Sequence, residues 1–139
     1  MHIPPFSIFS AVSELFVTAG VIYVVRSNWM RRPFSLPVFL TVALFEALVN
    51  VLYMANRSAK AASGGEAIST AMKITFAAHG MLSLIAYLIF VLLGVFAWQE
   101  QRQGQWFFRE HPGILWTFAV LWTISIVSGE ALFVWRYLL

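Results

Sequence analysis

Four apolar runs dominate the chain, at about 6–25, 37–55, 72–98 and 112–138. Each is close to the roughly 20 residues an α-helix needs to cross the hydrocarbon core of a bilayer. Lipid offers the backbone no hydrogen-bond partner, so runs of this length are expected as helices, with each N–H bonded inside its own segment. Prolines stand at three of the starts: Pro4 and Pro5, Pro37 after Ser35, and Pro112. At a first helical turn the missing N–H removes no bond. The first run lacks the basic start and small-residue cleavage site of a signal peptide and contains Glu14, so it reads as a retained helix.

Composition agrees with lipid as the solvent. Charged residues make up 11% of the chain and hydrophobic ones 60%, whereas a soluble domain carries about 25% charge. The expectation is an all-α integral membrane protein, a four-transmembrane-helix up-down bundle forming one domain over 1–139. The links at 26–36, 56–71 and 99–111 read as polar, the second as a flexible loop with Ser63, Gly64 and Gly65. Trp29, Trp98, Trp106, Trp116 and Trp135 fall near helix ends, as an interfacial aromatic belt requires, and Trp122 reads as packing. The net charge of +3 sits in links and helix ends and forms no basic stripe, so no nucleic-acid partner is expected. Cysteine is absent, which excludes disulfides and thiolate chemistry.

Orientation follows from the basic residues. The first and third links hold Arg26, Arg31, Arg32, Arg102 and Arg109; the opposite side holds Arg57, Lys60, Lys73 and Arg136. The Arg26/Arg31/Arg32 cluster places the first and third links in the cytoplasm and both termini outside.

Ionisable residues within membrane helices are costly, and each is a functional candidate. Glu14, Glu46, His79 and Glu130 are the deep ones, one per run. At 1.5 Å rise per residue, all four lie roughly 10–14 Å below the face that carries the termini. Ser7, Ser10, Glu14 and Thr18 recur at helical spacing on the first run, Glu46, Asn50 and Tyr53 on the second, and His79, Ser83 and Tyr87 on the third. On the fourth, Thr123 lies two turns from Glu130, and these faces are expected to turn inward. Gly20, Gly80, Gly94 and Gly129 should allow close helix approach.

Three readings fit this layer. Glu14, Glu46, Glu130 and His79 can be metal ligands, suited to a transition metal such as iron or copper(II), although the Glu-x-x-His pair of ferritin-like bundles is missing. They can handle a proton or a cationic substrate, or they can be neutral groups hydrogen-bonded across the bundle. His79 and Glu130, on adjacent helices at nearly equal depth, are expected within direct or one-water hydrogen-bonding reach. His111, before Pro112, reads from the residues alone as a surface histidine. No phosphate loop, nucleophile elbow or HExxH motif is present, and the chain is not read as an enzyme by itself.

The second half resembles the small four-helix membrane proteins of the YozB/CtaM type. The likeness lies in "FAAHGMLSLIAYLIFVLLGVF" around His79 and in "HPGILWTFAVLWTISIVSGEALFVWRYLL", with His111, Trp122, Ser128, Gly129 and Tyr137. The resemblance implies a role beside haem-copper respiratory oxidases, in maturation or assembly, with His79 and His111 binding a haem or copper cofactor. Where that family carries two further histidines, this chain has Arg31-Arg32-Pro33-Phe34 and Asn56. Bis-histidine haem ligation within one subunit then lacks its partners. The resulting expectation is a bacterial inner-membrane accessory subunit or assembly factor of a larger respiratory or redox complex. Its rivals are a small proton-coupled transporter using Glu14 and a purely structural subunit.

Overall fold

The computed structural model describes residues 2–65 and 67–139. It consists of helices α1 (Pro5–Trp29), α2 (Leu36–Ala62), α3 (Thr70–Gln101), α4 (Phe107–Glu110) and α5 (Pro112–Tyr137). The four long helices are each long and apolar enough to cross a membrane. The chain is therefore an all-α, multi-pass membrane bundle. α1 packs mainly on α2 and α3 mainly on α5, and these two hairpins face one another.

Helix ends differ from expectation for local reasons. α2 continues through Asn56 and Arg57 to Ala62, because Ala59, Lys60, Ala61 and Ala62 are strong helix formers. It stops where Gly64 turns left-handed at φ 79°. There the Gly65 N–H bonds the Lys60 carbonyl at 2.9 Å and the Gly64 N–H bonds that of Ala61 at 3.3 Å. This is a Schellman ending, which satisfies otherwise orphaned carbonyls. Arg31 ends α1 in the same way at φ 56°, a conformation that disfavours a side chain by about 1 kcal/mol.

The third link is more than a polar connection. Its single turn α4 buries Phe107 and Phe108 beneath the bundle. The fully buried Asn28 accepts the Phe108 N–H at 3.0 Å, and Arg109 donates to the Trp29 carbonyl at 3.0 Å. The end of α1 thus holds α4 in place, and α4 closes that end.

Packing divides the bundle into unlike halves. Toward the first and third links, Phe39, Phe90, Phe118 and Trp122 are buried together with Val21, Val24, Leu93 and Ala97. Ring centroids lie 5.3 Å apart for Phe39–Phe90 and 5.8 Å apart for Phe90–Trp122. The buried Trp122 indole N–H donates to the Thr18 hydroxyl at 3.1 Å. Gly94 makes this possible, since a Cβ there would fall inside the Phe39 ring. Gly20 admits Val42 in the same manner. Gly80 does not serve helix approach as expected: a Cβ there would meet nothing within 4 Å. It lies in the other half, where the helices part.

Gly94→Ala should therefore destabilise the bundle by about 1–3 kcal/mol through overpacking. Gly80→Ala should cost nothing or stabilise slightly, because only helix propensity changes there. Thermal unfolding in detergent micelles checks the contrast, and the reverse order would contradict this packing.

Candidate functional site

The parting of the helices leaves a cavity of about 670 Å³ at the end that carries both termini and the second link. All four long helices line it. Ser7, Ser10 and Glu14 face it from α1, Asn50 and Tyr53 from α2, His79, Ser83 and Tyr87 from α3, and Gly129 and Glu130 from α5. The polar stripe expected on α3 therefore turns inward whole, and those on α1 and α2 do so apart from Thr18 and Glu46. Thr123 does not: it is exposed and returns its hydroxyl to the Ala119 carbonyl at 2.7 Å. Ser125 and Ser128 hold the inner face of α5 instead.

His79 is oriented by those serines. The Ser128 hydroxyl donates its only proton to the Ser125 carbonyl at 2.8 Å. With that proton on the Ser125 carbonyl, the Ser128 oxygen, 2.8 Å from His79 Nδ1, is left to accept from that nitrogen. The neutral imidazole thus carries its proton on Nδ1 and presents Nε2 as an acceptor. Ser83 Oγ lies 3.4 Å from Nε2 and 3.0 Å from Ser125 Oγ. One consistent direction runs from Ser125 to Ser83 to Nε2, and from Nδ1 to Ser128.

Glu14 meets this histidine across bare backbone. A Cβ on Gly129 would lie 3.0 Å from Glu14 Oε2 and 3.1 Å from His79 Nε2. Both atoms thus flank one point on α5 and are at most about 6 Å apart. Any larger residue at 129 would displace one or both. Here glycine admits two functional side chains, where Gly94 admits a packing ring.

The remaining carboxyls are placed differently. Glu130 lines the cavity, with Oε1 buried and without a hydrogen-bond partner among the described residues. Glu46 stands back from the cavity wall, and the Asn50 amide donates to its Oε1 at 3.0 Å. Glu46 and Glu130 both remain within electrostatic range of Glu14.

Several expectations change on this geometry. His79 bonds Ser128 and Ser83 rather than Glu130. Ser128 rather than Glu130 meets the ring directly because two residues along a helix turn a side chain by about 200°, while Glu130 lines the same cavity. His79, Glu14, Glu46 and Glu130 share a depth but do not form a ligand cluster. Among the described residues, no three His, Cys, Asp or Glu side chains stand together as a metal site. His111 lies at the opposite end, with Nδ1 donating to the Phe107 carbonyl at 2.9 Å and its ring 4.8 Å from that of Phe107. About 25 Å of α5 separates it from the level of Ser128, so His79 and His111 cannot hold one haem together. Among the described residues, neither a shared haem site for His79 and His111 nor a three-ligand metal group is assembled.

The mouth was not foreseen. Arg57 and Lys73 line it, with Arg57 stacked 4.3 Å over the Phe76 ring. Ser7 and Tyr137 close the α1–α5 seam through a 3.1 Å hydrogen bond. The available signal for the site was the Ser125-x-x-Ser128-Gly129 run, which puts two hydroxyls and a gap on adjoining parts of one helix face. The chain matches no protein-family model, and no curated protein or solved structure is similar to it.

The serine frame predicts that ¹⁵N NMR of His79 at neutral pH shows the Nδ1–H tautomer. Ser128→Ala should give a tautomer mixture in a bundle that remains folded. An Nε2–H signal in the unsubstituted protein would overturn the assignment.

Proposed function

We propose that this membrane protein binds a small molecule in its one-sided cavity and moves a proton there between Glu14 and His79. The observation that carries the reading is the convergence of Glu14 Oε2 and His79 Nε2 over Gly129. His79 offers a lone pair on Nε2, while Ser128 already holds its other N–H. No hydrogen bond joins Glu14 to that nitrogen directly, so a proton leaving Glu14 Oε2 reaches Nε2 through a bridging water or ligand hydroxyl, leaving a carboxylate near an imidazolium. Ser83 and Ser128 offer that pair polar contacts in surroundings that otherwise solvate charge poorly. A ligand in the cavity would change which group holds the proton, the elementary step of proton-coupled binding or transport. The aromatic layer around Phe90 and Trp122 separates the site from the other face, so transport would require that layer to part.

A second reading, an accessory or assembly subunit of a bacterial respiratory complex, is favoured by one observation. His79, Ser128 and Gly129, which carry the resemblance to the YozB/CtaM type, meet at this site. In that role a haem, iron or copper would need ligands from a partner subunit. Stoichiometric metal or a Soret band in the isolated protein would favour this reading.

For sidedness, we propose that the arginine-rich first and third links face the cytoplasm of a bacterial inner membrane and the cavity opens outward. Because the chain has no cysteine, single cysteines at positions 31 and 62 report without background. The first should label only from inside and the second only from outside. Labelling of position 31 from outside reverses the assignment.

The proton reading is tested by infrared spectroscopy in nanodiscs. A carboxyl C=O band lost in Glu14→Gln should change frequency in His79→Ala, with the helix amide bands unchanged. A Glu14 band indifferent to His79→Ala would remove the exchange.

A further inference from the structure

The cavity is open sideways as well as at its mouth. Direct contacts close three helix seams at its level. Ser7–Tyr137 joins α1 to α5, Phe6–Tyr53 and Phe9–Phe45 join α1 to α2, and His79–Ser128 with Ser83–Ser125 join α3 to α5. The α2–α3 seam differs. Its contacts are the Tyr87 hydroxyl on the Ala43 carbonyl at 3.0 Å and Arg57 over Phe76. Between them, over about 20 Å of α2, no hydrogen bond or ring contact joins these helices among the described residues. Val51 and Met81 line the cavity while 65% and 61% exposed. The same side chains thus face both cavity and lipid. Gly80, with open space where a side chain would stand, lies in this gap.

We propose that the site takes an uncharged amphiphile, a hydrogen-bonding ring or hydroxyl head on an apolar tail, which enters from the bilayer between α2 and α3. This rests on the proposed function and names its ligand class and route. Three observations select the class. The floor offers hydrogen-bonding groups: the Glu14 and Glu130 carboxyls, which donate to a carbonyl oxygen when protonated, and His79 Nε2, which accepts from a hydroxyl. A cation entering by the mouth would have to pass Arg57 and Lys73. An anion would be held by those two at the mouth, short of the poorly solvating floor. A neutral head arriving from the side meets neither barrier, and its tail remains in the gap beside Val51 and Met81.

The test compares equilibrium binding of decylubiquinone, decanoate and decyltrimethylammonium to the protein in nanodiscs. Decylubiquinone should bind saturably, with the two charged probes weaker by at least about tenfold, or about 1.4 kcal/mol. Gly80→Trp fills the gap and should weaken decylubiquinone by a similar factor without lowering the melting temperature. Should that variant fail to fold, Val51→Trp narrows the same gap from an exposed position. Tighter binding of either charged probe overturns the ligand class. Wild-type binding by a folded gap variant, with loss in Glu14→Gln, overturns the route and leaves the site standing. Binding of none of the three overturns the inference, while the infrared coupling of Glu14 and His79 judges the proton reading separately.

Discussion

Inside a bilayer no water is available to accept or donate a hydrogen bond, and this governs both the backbone and the polar side chains here. The backbone answers with long helices. Threonines on outward or exposed positions, such as Thr75, Thr117 and Thr123, return their hydroxyls to the preceding turn of their own helix. Polar groups without a local solution turn inward and find partners on other helices: Thr18 with Trp122, Tyr87 with Ala43, His79 with Ser128. What remains after this sorting is small. Around the cavity it consists chiefly of Glu14, Glu130 and the Nε2 side of His79, and toward the opposite end of Asn28 Nδ2, Glu100 Oε2 and Gln101 Oε1.

The two halves of the bundle follow from where bulk and absence of bulk fall. Phe39, Phe90, Phe118 and Trp122 lie toward the first and third links, where Gly94 and Gly20 let side chains of a facing helix in. α4, held by Asn28 and Arg109, seals the end of that half. In the other half Ala77 and Gly80 leave space unfilled, and Ser7, Ser10 and Gly129 face the cavity from α1 and α5. A packed half fixes the helix axes, and the open half inherits that fixed geometry. This is why a carboxyl on α1 and an imidazole on α3 can meet reproducibly over α5 without a strong bond joining them.

The histidine has a direction because hydroxyl protons are few. Ser128 has one proton, and once that is given to the Ser125 carbonyl its oxygen can only accept from the ring. The acceptor nitrogen is thereby held beside Glu14 and the cavity. The same ring with an Asp or Glu in place of Ser128 would carry a different charge balance. A hydroxyl fixes the tautomer without adding a formal charge to the membrane interior.

Much of the architecture was legible in the chain itself. The length and apolarity of the four runs determined the spanning helices, because lipid allows the backbone no other solution over that distance. The depth of Glu14, Glu46, His79 and Glu130 was also fixed by counting, since rise per residue is constant. Rotation about each helix axis, and the order in which helices pack, were decided only in three dimensions. Depth alone put Glu130 within direct or one-water reach of His79, and packing of α5 on α3 brought Ser128 to the ring directly. Depth alone put Glu46 with the others, whereas α2 turned it onto Asn50 and off the cavity wall. The position of His111 was readable, but its burial against Phe107 depended on α4 folding under α1. The physical reason is that one residue's step rotates a side chain by about 100° while advancing it only 1.5 Å. Depth is therefore a property of the sequence, and facing is a property of the packed bundle.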